Sequence, residues 1–454
     1  MDYRDYFRDK KITLMGLGLL GRGVGDAKFL ARAVAPARTE RGSARSGGDL
    51  IVTDLKSAKE LTPSLKKLTK LQAITYVLGE HRLEDFRNRD LIIKGAGVPL
   101  DSPYIAEAKK NKIPVMMSAA LFVKFTQSLG VKIIGVTGTR GKTTVTSLIY
   151  EILKHYCQCQ GLPLTSKKVW LGGNVLGVST LALLPKVKPG DFVVLELDSW
   201  QLQGFGDLGI SPPIAVFTNF MPDHLNYYKG DMKAYLADKE NIFKYQKPKD
   251  HLVRGEKVKK LSKSWKLKIL GEHNRTNAAC AVAVARILEI PEKLIKQTVE
   301  NFIGVPGRLE LIRTWRGIKI YNDTTSTTPE ATVVALRALG VPRRRSGQNQ
   351  NVILILGGAD KNLPLDILVK TLPKYCQEII LLPGTGTEKL RRLLSSKVGA
   401  PTEASGLKEA VDLAFKIARS GDTIILSPGF ASFGLFKNEY DRGAQFVKLV
   451  KNLK

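Results

Sequence analysis

A multi-domain α/β fold is what this sequence predicts, on three observations. The chain has 454 residues, enough for about three domains at roughly 150 residues each, and its 43% of hydrophobic residues can fill three separate cores. Short, nearly continuous apolar runs alternate with helical patterns almost throughout, as strands of parallel sheets do when helices cover both faces. Two strand-to-helix turns, at residues 16–21 and 135–144, are rich in glycine.

In chain order, Ile12–Met15, Leu50–Thr53 and Leu91–Ile93 read as strands of a first unit, residues 1–120. Lys132–Val136, Phe192–Leu197 and Ile214–Thr218 belong to a second, residues 121–304, with helical stretches at Val145–Leu153, Met232–Phe243, Asn277–Leu288 and Pro291–Phe302. A Gly-Val-Pro-Gly-Arg turn from Gly304 opens a third, residues 305–454, with strands at Val352–Leu356, Glu378–Leu382 and Thr423–Leu426. Two stretches, Ala37–Gly48 and Pro342–Gln350, are rich in Arg, Ser and Gly with little apolar content, a composition that predicts mobile insertions. No internal repeat is visible.

Lys and Arg (71) exceed Asp and Glu (42) by 29, an excess that favours anionic partners. With 41 Gly, 21 Pro and 25% charged residues, collagen-like, low-complexity and disulfide-scaffold classes are excluded. Cys157, Cys159, Cys280 and Cys376 have neither a paired framework nor zinc-ligand spacing, so they read as reduced thiols in a cytoplasmic protein. The opening residues, charged and aromatic by turns, lack a signal peptide's apolar core, and no uncharged run approaches the ~18 residues a membrane span needs.

The strongest local pattern is Gly135-Val-Thr-Gly-Thr-Arg-Gly-Lys-Thr-Thr144, between a strand and a helix. Backbone N–H groups of such a loop face phosphate oxygens, the helix N-terminus adds positive potential, Lys142 reaches the terminal phosphates and Thr143 can ligate magnesium. Gly138, Thr139, Arg140, Gly141, Lys142, Thr143 and Thr144 are thus expected to cradle ATP. The glycine stands at Gly138 where the common spacing would put it at Val136, so the loop is a variant.

That variant resembles the ATP-dependent Mur ligases of peptidoglycan synthesis. Their remaining motifs follow in order: Gly-Gly-Asn174, Leu-Glu196-Leu-Asp-Ser-Trp-Gln-Leu, Pro-Asp-His224-Leu, Lys239, His-Asn274-Arg-Thr-Asn277, Pro-Gly-Arg308, Tyr-Asn-Asp323, Gly-Gly-Ala-Asp-Lys361 and Ser-Pro-Gly-Phe-Ala-Ser432-Phe433. The resemblance spans essentially the whole chain and is greatest to the glutamate-adding branch. It implies three domains: an N-terminal Rossmann-like domain for a uridine diphosphate, a central ATPase-type domain, and a C-terminal Rossmann-like domain for the amino acid. It further implies ligation of D-glutamate to UDP-N-acetylmuramoyl-L-alanine through an acyl phosphate, by a cytoplasmic enzyme expected to be monomeric.

The resemblance also distributes roles. Lys142, Glu196, His224 and Lys239 are implied to be catalytic. Glu196 ends a strand where a carboxylate needs a cation to meet it, and it joins Thr143, His224 and a carbamylated Lys239 as ligands of two magnesium ions. Carbon dioxide captured by a neutral lysine gives an anionic oxygen ligand, whereas an ammonium would repel the metal. Asn274, Asn277, Arg308 and Asp323 are implied to contact ATP, with N-capping open to either asparagine. Leu19, Leu20, Asp54, Gly95 and Asn174 fall to the uridine nucleotide. Thr327, Lys361, Ser432 and Phe433 fall to glutamate, a dicarboxylate that calls for cationic and hydroxyl donors.

Departures from the family pattern bear on the amino acid. Thr325 stands where the branch commonly has lysine, and Thr327-Thr-Pro329 resembles ligases of L-glutamate, so either enantiomer remains open. Gly16-Leu-Gly-Leu-Leu-Gly21 alone would read as a dinucleotide fingerprint. The net charge, with Arg343–Arg345 and Lys257–Lys268, would suit a nucleic-acid-dependent ATPase, yet 7% aromatic residues offer few stacking platforms, so nucleic acid is not the expected partner. A folylpolyglutamate-synthase-like ligase would share the central architecture without needing the first glycine turn.

Overall fold

The computed structural model describes residues 2–34, 48–71, 74–99, 101–159, 167–175, 177–225, 227–340, 352–394 and 401–453. Both basic insertions lie outside the described residues, Gly48 excepted. By packing, the chain forms two compact units, Met1–Leu261 with Thr276–Val299, and Ser262–Arg275 with Glu300–Lys454.

The first unit holds two five-stranded sheets. One comprises β1 (Lys11–Met15), β2 (Asp49–Asp54), β3 (Ile74–Leu78), β4 (Leu91–Lys94) and β5 (Val115–Met116), all parallel, in the order β3-β2-β1-β4-β5. The other comprises β6 (Lys132–Thr137), β7 (Val169–Gly173), β8 (Phe192–Glu196), β9 (Ile214–Phe217) and β10 (His251–Arg254), also parallel, in the order β10-β9-β6-β8-β7. Strands β4, β8 and β9 bury every residue, which is why they read as unbroken apolar runs.

One apolar cluster joins the two sheets, taking Ile12, Leu50 and Ile93 from the first and Ile133, Val193 and Leu195 from the second. The helix Ser118–Thr126 lies in that cluster and buries Ala119, Ala120, Leu121, Phe122, Val123 and Phe125. Only Lys124 of this helix is exposed, and each large apolar side chain so buried contributes about 1.5–3 kcal/mol.

The second unit has β11 (Glu310–Trp315), β12 (Ile318–Asn322), β13 (Val352–Leu356), β14 (Cys376–Leu381), β15 (Thr402–Glu403) and β16 (Thr423–Leu426), in the order β11-β12-β16-β13-β14-β15. Only β11 runs antiparallel to its neighbour. Period-two alternation sends Leu354 and Leu356 to one apolar layer, and Ile353 and Ile355 to the other.

Each strand expected from the sequence is present, with ends within two residues. The expected helix Asn277–Leu288 begins earlier, at Glu272, so Asn274 and Asn277 stand inside it and neither is its N-cap. Among the described residues no helix is long and apolar enough to cross a membrane. All four cysteines are free.

Candidate active site

In both sheets of the first unit the chemistry-bearing residues gather at the C-terminal ends of parallel strands. Strand β6 passes through the loop 138–141 into the helix Lys142–Cys159. Gly138 (φ 139°) and Gly141 (φ 83°) hold conformations that favour glycine, and a side chain on Gly138 would strike the Thr218 hydroxyl, one on Gly141 the Asn277 amide. The segment after β9 fixes the loop from below. Thr139 N–H donates to the Asn219 carbonyl (2.9 Å), Arg140 N–H to Asn219 Oδ1 (2.9 Å), and the Thr218 hydroxyl to the Arg140 carbonyl (2.6 Å). Thr143 and Thr144, in the first helical turn, are half-buried.

Two lysines converge on this loop. Lys142 Nζ donates to the carbonyls of Gly138 (3.0 Å) and Thr139 (3.1 Å), and Lys239 Nζ, from the helix Met232–Glu240, donates to Gly138 at 2.8 Å. Lys239 is 1% exposed. Burial, then the neighbouring Lys142 charge, pushes its amine down to about 7, so near neutral pH much of it is uncharged. Glu196 ends β8 in register with Val136 of β6 and is buried at 4% exposure. His224 lies in the left-handed region (φ 53°), with its ring 4.9 Å from that of Trp200 and 6.1 Å from that of Tyr235. Desolvation lowers its pKa, opposed by Asp223 and assisted by Lys142 and Lys239, so it favours the neutral imidazole that a metal requires.

Among the described residues no three His, Cys, Asp or Glu side chains form a metal-binding group. The donors present are a buried carboxylate, a threonine hydroxyl, a neutral-leaning imidazole and an amine poised to lose its proton. The carboxylate and the hydroxyl are oxygen donors of the kind magnesium takes, and so sparse a set fits an ion that keeps several waters and phosphate oxygens of its own.

The other glycine turn runs from β1 into the helix Arg22–Ala33. Asp54, at the end of β2, accepts the N–H groups of Leu17 and Gly18 on Oδ2 (both 2.9 Å) and that of Lys56 on Oδ1 (2.9 Å). Its carboxylate therefore shapes the turn, and what it can offer a nucleotide passes largely through that shape. Leu19 and Leu20 are exposed at 47% and 37%, an apolar surface on the turn itself. Gly95, after β4, packs beside it by donating to the Met15 carbonyl (2.8 Å). Asn174, after β7, meets this turn as well: its Oδ1 accepts from Arg22 Nη1 at 2.5 Å.

Sequence reading missed the framework around His224. Tyr227 donates to the Val98 carbonyl (3.3 Å), Tyr228 to Asp238 Oδ2 (2.9 Å), Gln203 Nε2 to the same carboxylate (2.8 Å), and Lys94 Nζ to Gln203 Oε1 (3.1 Å). These residues tie the loop after β4 to the helices Ser199–Leu208 and Met232–Glu240. The aromatic density of residues 220–235 was the available signal.

The second unit brings together part of the remaining set. Lys361 Nζ donates to the Thr327 hydroxyl at 3.0 Å. Asp323 is buried at 4% exposure, accepting from Leu309 N–H (3.0 Å), the Ser326 hydroxyl (2.5 Å) and the Ser427 hydroxyl (2.8 Å). Burial raises it to about 6 against those hydrogen bonds and the attraction of Arg308. Arg308 is exposed beside it, and Asn274 Nδ2 donates to the Leu270 carbonyl (2.7 Å). Ser432 is buried, whereas Phe433 stands 69% exposed. Arg442, unassigned from the sequence, is wholly buried and links the two loops: it donates to the Thr324 hydroxyl (3.2 Å), the Thr324 carbonyl (2.9 Å) and the Phe430 carbonyl (3.4 Å).

Residues 136–265 match the Mur ligase middle domain, and residues 307–430 the Mur ligase glutamate ligase domain. The chain is 34% identical to a UDP-N-acetylmuramoylalanine–D-glutamate ligase of Roseiflexus sp., over 98% of each protein. The chain belongs to the Mur ligase family. A ligase of the same description from Borreliella burgdorferi is 31% identical over 99% of both chains. Among solved structures, the UDP-N-acetylmuramate-alanine ligase MurC of Thermotoga maritima shares the fold at a TM-score of 0.62 and 18% identity, covering 98% of this chain and 100% of that one. Escherichia coli FolC in complex with ADP gives 0.53 at 17% identity, over 78% of this Mur ligase and 98% of FolC.

Proposed function

We propose that this Mur ligase uses ATP to join D-glutamate to the carboxyl group of UDP-N-acetylmuramoyl-L-alanine, as a cytoplasmic monomer. The observation that carries this reading is the meeting of Lys142 and Lys239 on one phosphate-loop carbonyl, in register with the buried Glu196. The assignments of residues to roles and the limits 1–120, 121–304 and 305–454 belong to the proposal. Residues 262–275 and 300–304 are the parts of the middle segment that pack with the second unit.

The substrate carboxylate attacks the terminal phosphorus of ATP, ADP leaves, and an acyl phosphate forms. The glutamate amine then attacks the acyl carbon, loses a proton, and inorganic phosphate departs as the amide bond closes. ATP and both acids are anions, so the chain's contribution is mainly alignment and neutralisation of charge. Lys142 and the loop Gly138–Thr144 hold the triphosphate, the N–H groups of Thr139 and Arg140 being taken by Asn219 and Asn277 lying against Gly141 to shape the loop. Asn274, Arg308 and Asp323 are assigned to ATP. Leu19, Leu20, Asp54, Gly95 and Asn174 hold the uridine nucleotide, and Thr327, Lys361, Ser432 and Phe433 the glutamate.

Thr143, Glu196, His224 and Lys239 would hold magnesium, which when bound polarises phosphoryl oxygens and neutralises charge. With its pKa near 7, the Lys239 amine can attack carbon dioxide; a C–N bond forms, a proton leaves, and a carbamate replaces a cation.

Phosphate release measured with UDP-N-acetylmuramoyl-L-alanine and each glutamate enantiomer tests the reading. Turnover with the D form alone is expected. Turnover with the L form alone would reassign the amino acid, and failure with both would overturn the substrate.

A further inference from the structure

We infer that Arg442 is a positioning residue for the glutamate pocket: by donating at once to the loop after β12 and the loop after β16, it fixes the spacing of Thr327 from Ser432 and so the fit of the amino acid. The inference rests on the proposed glutamate site and goes beyond it by naming the residue that sets its width.

The residues assigned to glutamate stand on three loops at the C-terminal ends of neighbouring parallel strands. Thr327 follows β12, Lys361 follows β13, and Ser432 and Phe433 follow β16. The middle of the three in sequence is tied to both others: Lys361 Nζ donates to the Thr327 hydroxyl at 3.0 Å, and Ala359 and Ala431 exchange backbone hydrogen bonds of 2.9 and 3.1 Å. The loops after β12 and β16 touch through the Gly429 N–H, which donates to the Ser326 carbonyl at 2.9 Å.

Arg442 reaches both of these loops from a separate element, the helix Glu439–Lys451. Its Nε donates to the Thr324 hydroxyl (3.2 Å), Nη2 to the Thr324 carbonyl (2.9 Å) and Nη1 to the Phe430 carbonyl (3.4 Å). The side chain is wholly buried, and among the described residues it pairs with no carboxylate. Burying a guanidinium without a counter-ion is costly, and an apolar side chain would fill the same space without that cost. What the guanidinium adds is direction, since its planar fork sends donors out at fixed angles and holds two loops at one separation.

The packing of Thr324 is an independent sign that this contact is built closely. Its hydroxyl donates to the Glu439 carbonyl at 2.8 Å. Its methyl group lies between two glycines, where a Cβ on Gly307 would come within 2.9 Å and one on Gly443 within 2.6 Å. Gly443 follows Arg442 in the helix, so the residue beside the arginine is the one that lets the helix approach the loop.

Asp323, assigned to ATP, precedes Thr324 but is held by the Leu309 N–H and the Ser326 and Ser427 hydroxyls, none of which touches Arg442. Loosening the brace should therefore act on glutamate and spare ATP.

The test uses the full-length protein and phosphate release, with each of the three substrates titrated in turn. Arg442→Met is expected to raise the KM for glutamate about 10- to 100-fold and to narrow the preference between its enantiomers, while the KM values for ATP and the uridine substrate stay within about twofold of wild type. Arg442→Lys keeps the charge but reaches one loop at a time, so its glutamate KM should fall between the two. Thr324→Val removes one acceptor and should shift the same constant less; it carries the test if the methionine variant does not fold. Combined, the two substitutions should cost less than the product of their separate effects. A glutamate KM unchanged in Arg442→Met, or in Thr324→Val where that stands in for it, would overturn the inference alone. A lower kcat and thermal midpoint with every KM unchanged would also overturn it, because the arginine would then serve only the fold, and so would an equal rise in all three KM values. A wild-type chain that turns over with neither glutamate enantiomer would overturn the glutamate site itself, and this inference with it.

Discussion

The first unit builds the same device twice, a glycine-rich turn from a central parallel strand into a helix, and equips the two copies in opposite ways. In the turn after β1, backbone N–H groups of Leu17 and Gly18 are taken by the Asp54 carboxylate, and exposed leucines project from the turn. In the turn after β6, the N–H groups of Thr139 and Arg140 are taken by the neutral Asn219, and the carbonyls of Gly138 and Thr139 accept from Lys142 and Lys239. A turn that surrenders N–H groups to an acid and presents leucine suits a flat, weakly charged ring. One whose N–H groups meet a neutral asparagine and whose carbonyls draw in two lysines carries a positive potential suited to a polyanion. Glycine spacing sets the backbone path, and the neighbouring strands decide the ligand.

If that contrast is right, the largest losses follow from the lysines. Lys142→Ala is expected to lower kcat in the phosphate-release assay by about 10³-fold, and an active variant would remove the phosphate loop from the chemistry. Lys239→Ala should lower it by about 10²-fold, with partial recovery in formate or acetate; full activity without rescue would exclude the carbamate.

The same lysine predicts an effect of opposite sign on stability. Its folded pKa, about 7, lies below the ordinary value of 10.5. The unfolded chain therefore binds the extra proton between those limits, and stability rises with pH across that window. The penalty, fully present below pH 7 and absent above 10.5, amounts to roughly 5 kcal/mol. Lys239→Met should accordingly be more stable than wild type in denaturant at pH 7 in carbonate-free buffer, and the gap should narrow at pH 9. A gap that stayed constant with pH would show that the buried ammonium is not its source.

Central strands and contiguous motifs were legible in the sequence because each is a local pattern. β4, β8 and β9 are buried on both faces and read as apolar runs, and the loop 135–144 carries its glycines and lysine within ten residues. Edge strands were not legible: β3 leaves Thr75 and Tyr76 exposed, β5 and β15 are two residues long, and β12, though interior, is interrupted by Lys319. Contacts distant in sequence were likewise hidden. Nothing local marks Lys239 as reaching Gly138 across 101 residues, Arg22 as reaching Asn174 across 152, or Arg442 as closing on Thr324 across 118. Asp54 was legible as a strand-end acid, but only the register of β1 with β2 sets it beneath the glycine turn.

Asp54 gives the next effect in size. Asp54→Asn keeps the shape but removes the charge that holds two N–H groups, so the KM for the uridine substrate should rise about tenfold while the KM for ATP stays fixed. Equal changes in both constants would mean that the two turns are not independent in function.

The smallest effect sharpens the contrast most, because it separates apolar contact from charge. Leu19 is 47% exposed, so replacing it removes little from the core, and Leu19→Ser should leave the thermal midpoint within a degree or two of wild type. If a uracil ring covers the leucine in the complex, the apolar area lost is worth about 1 kcal/mol, or roughly a fivefold rise in the KM for the uridine substrate. Ionic strength discriminates the two contributions: a purely apolar Leu19→Ser deficit should be the same at 50 mM and 500 mM salt. A salt-dependent Leu19→Ser deficit would mean that the leucine acts by placing the charges around it, and the first turn would then differ from the phosphate loop in degree and not in kind.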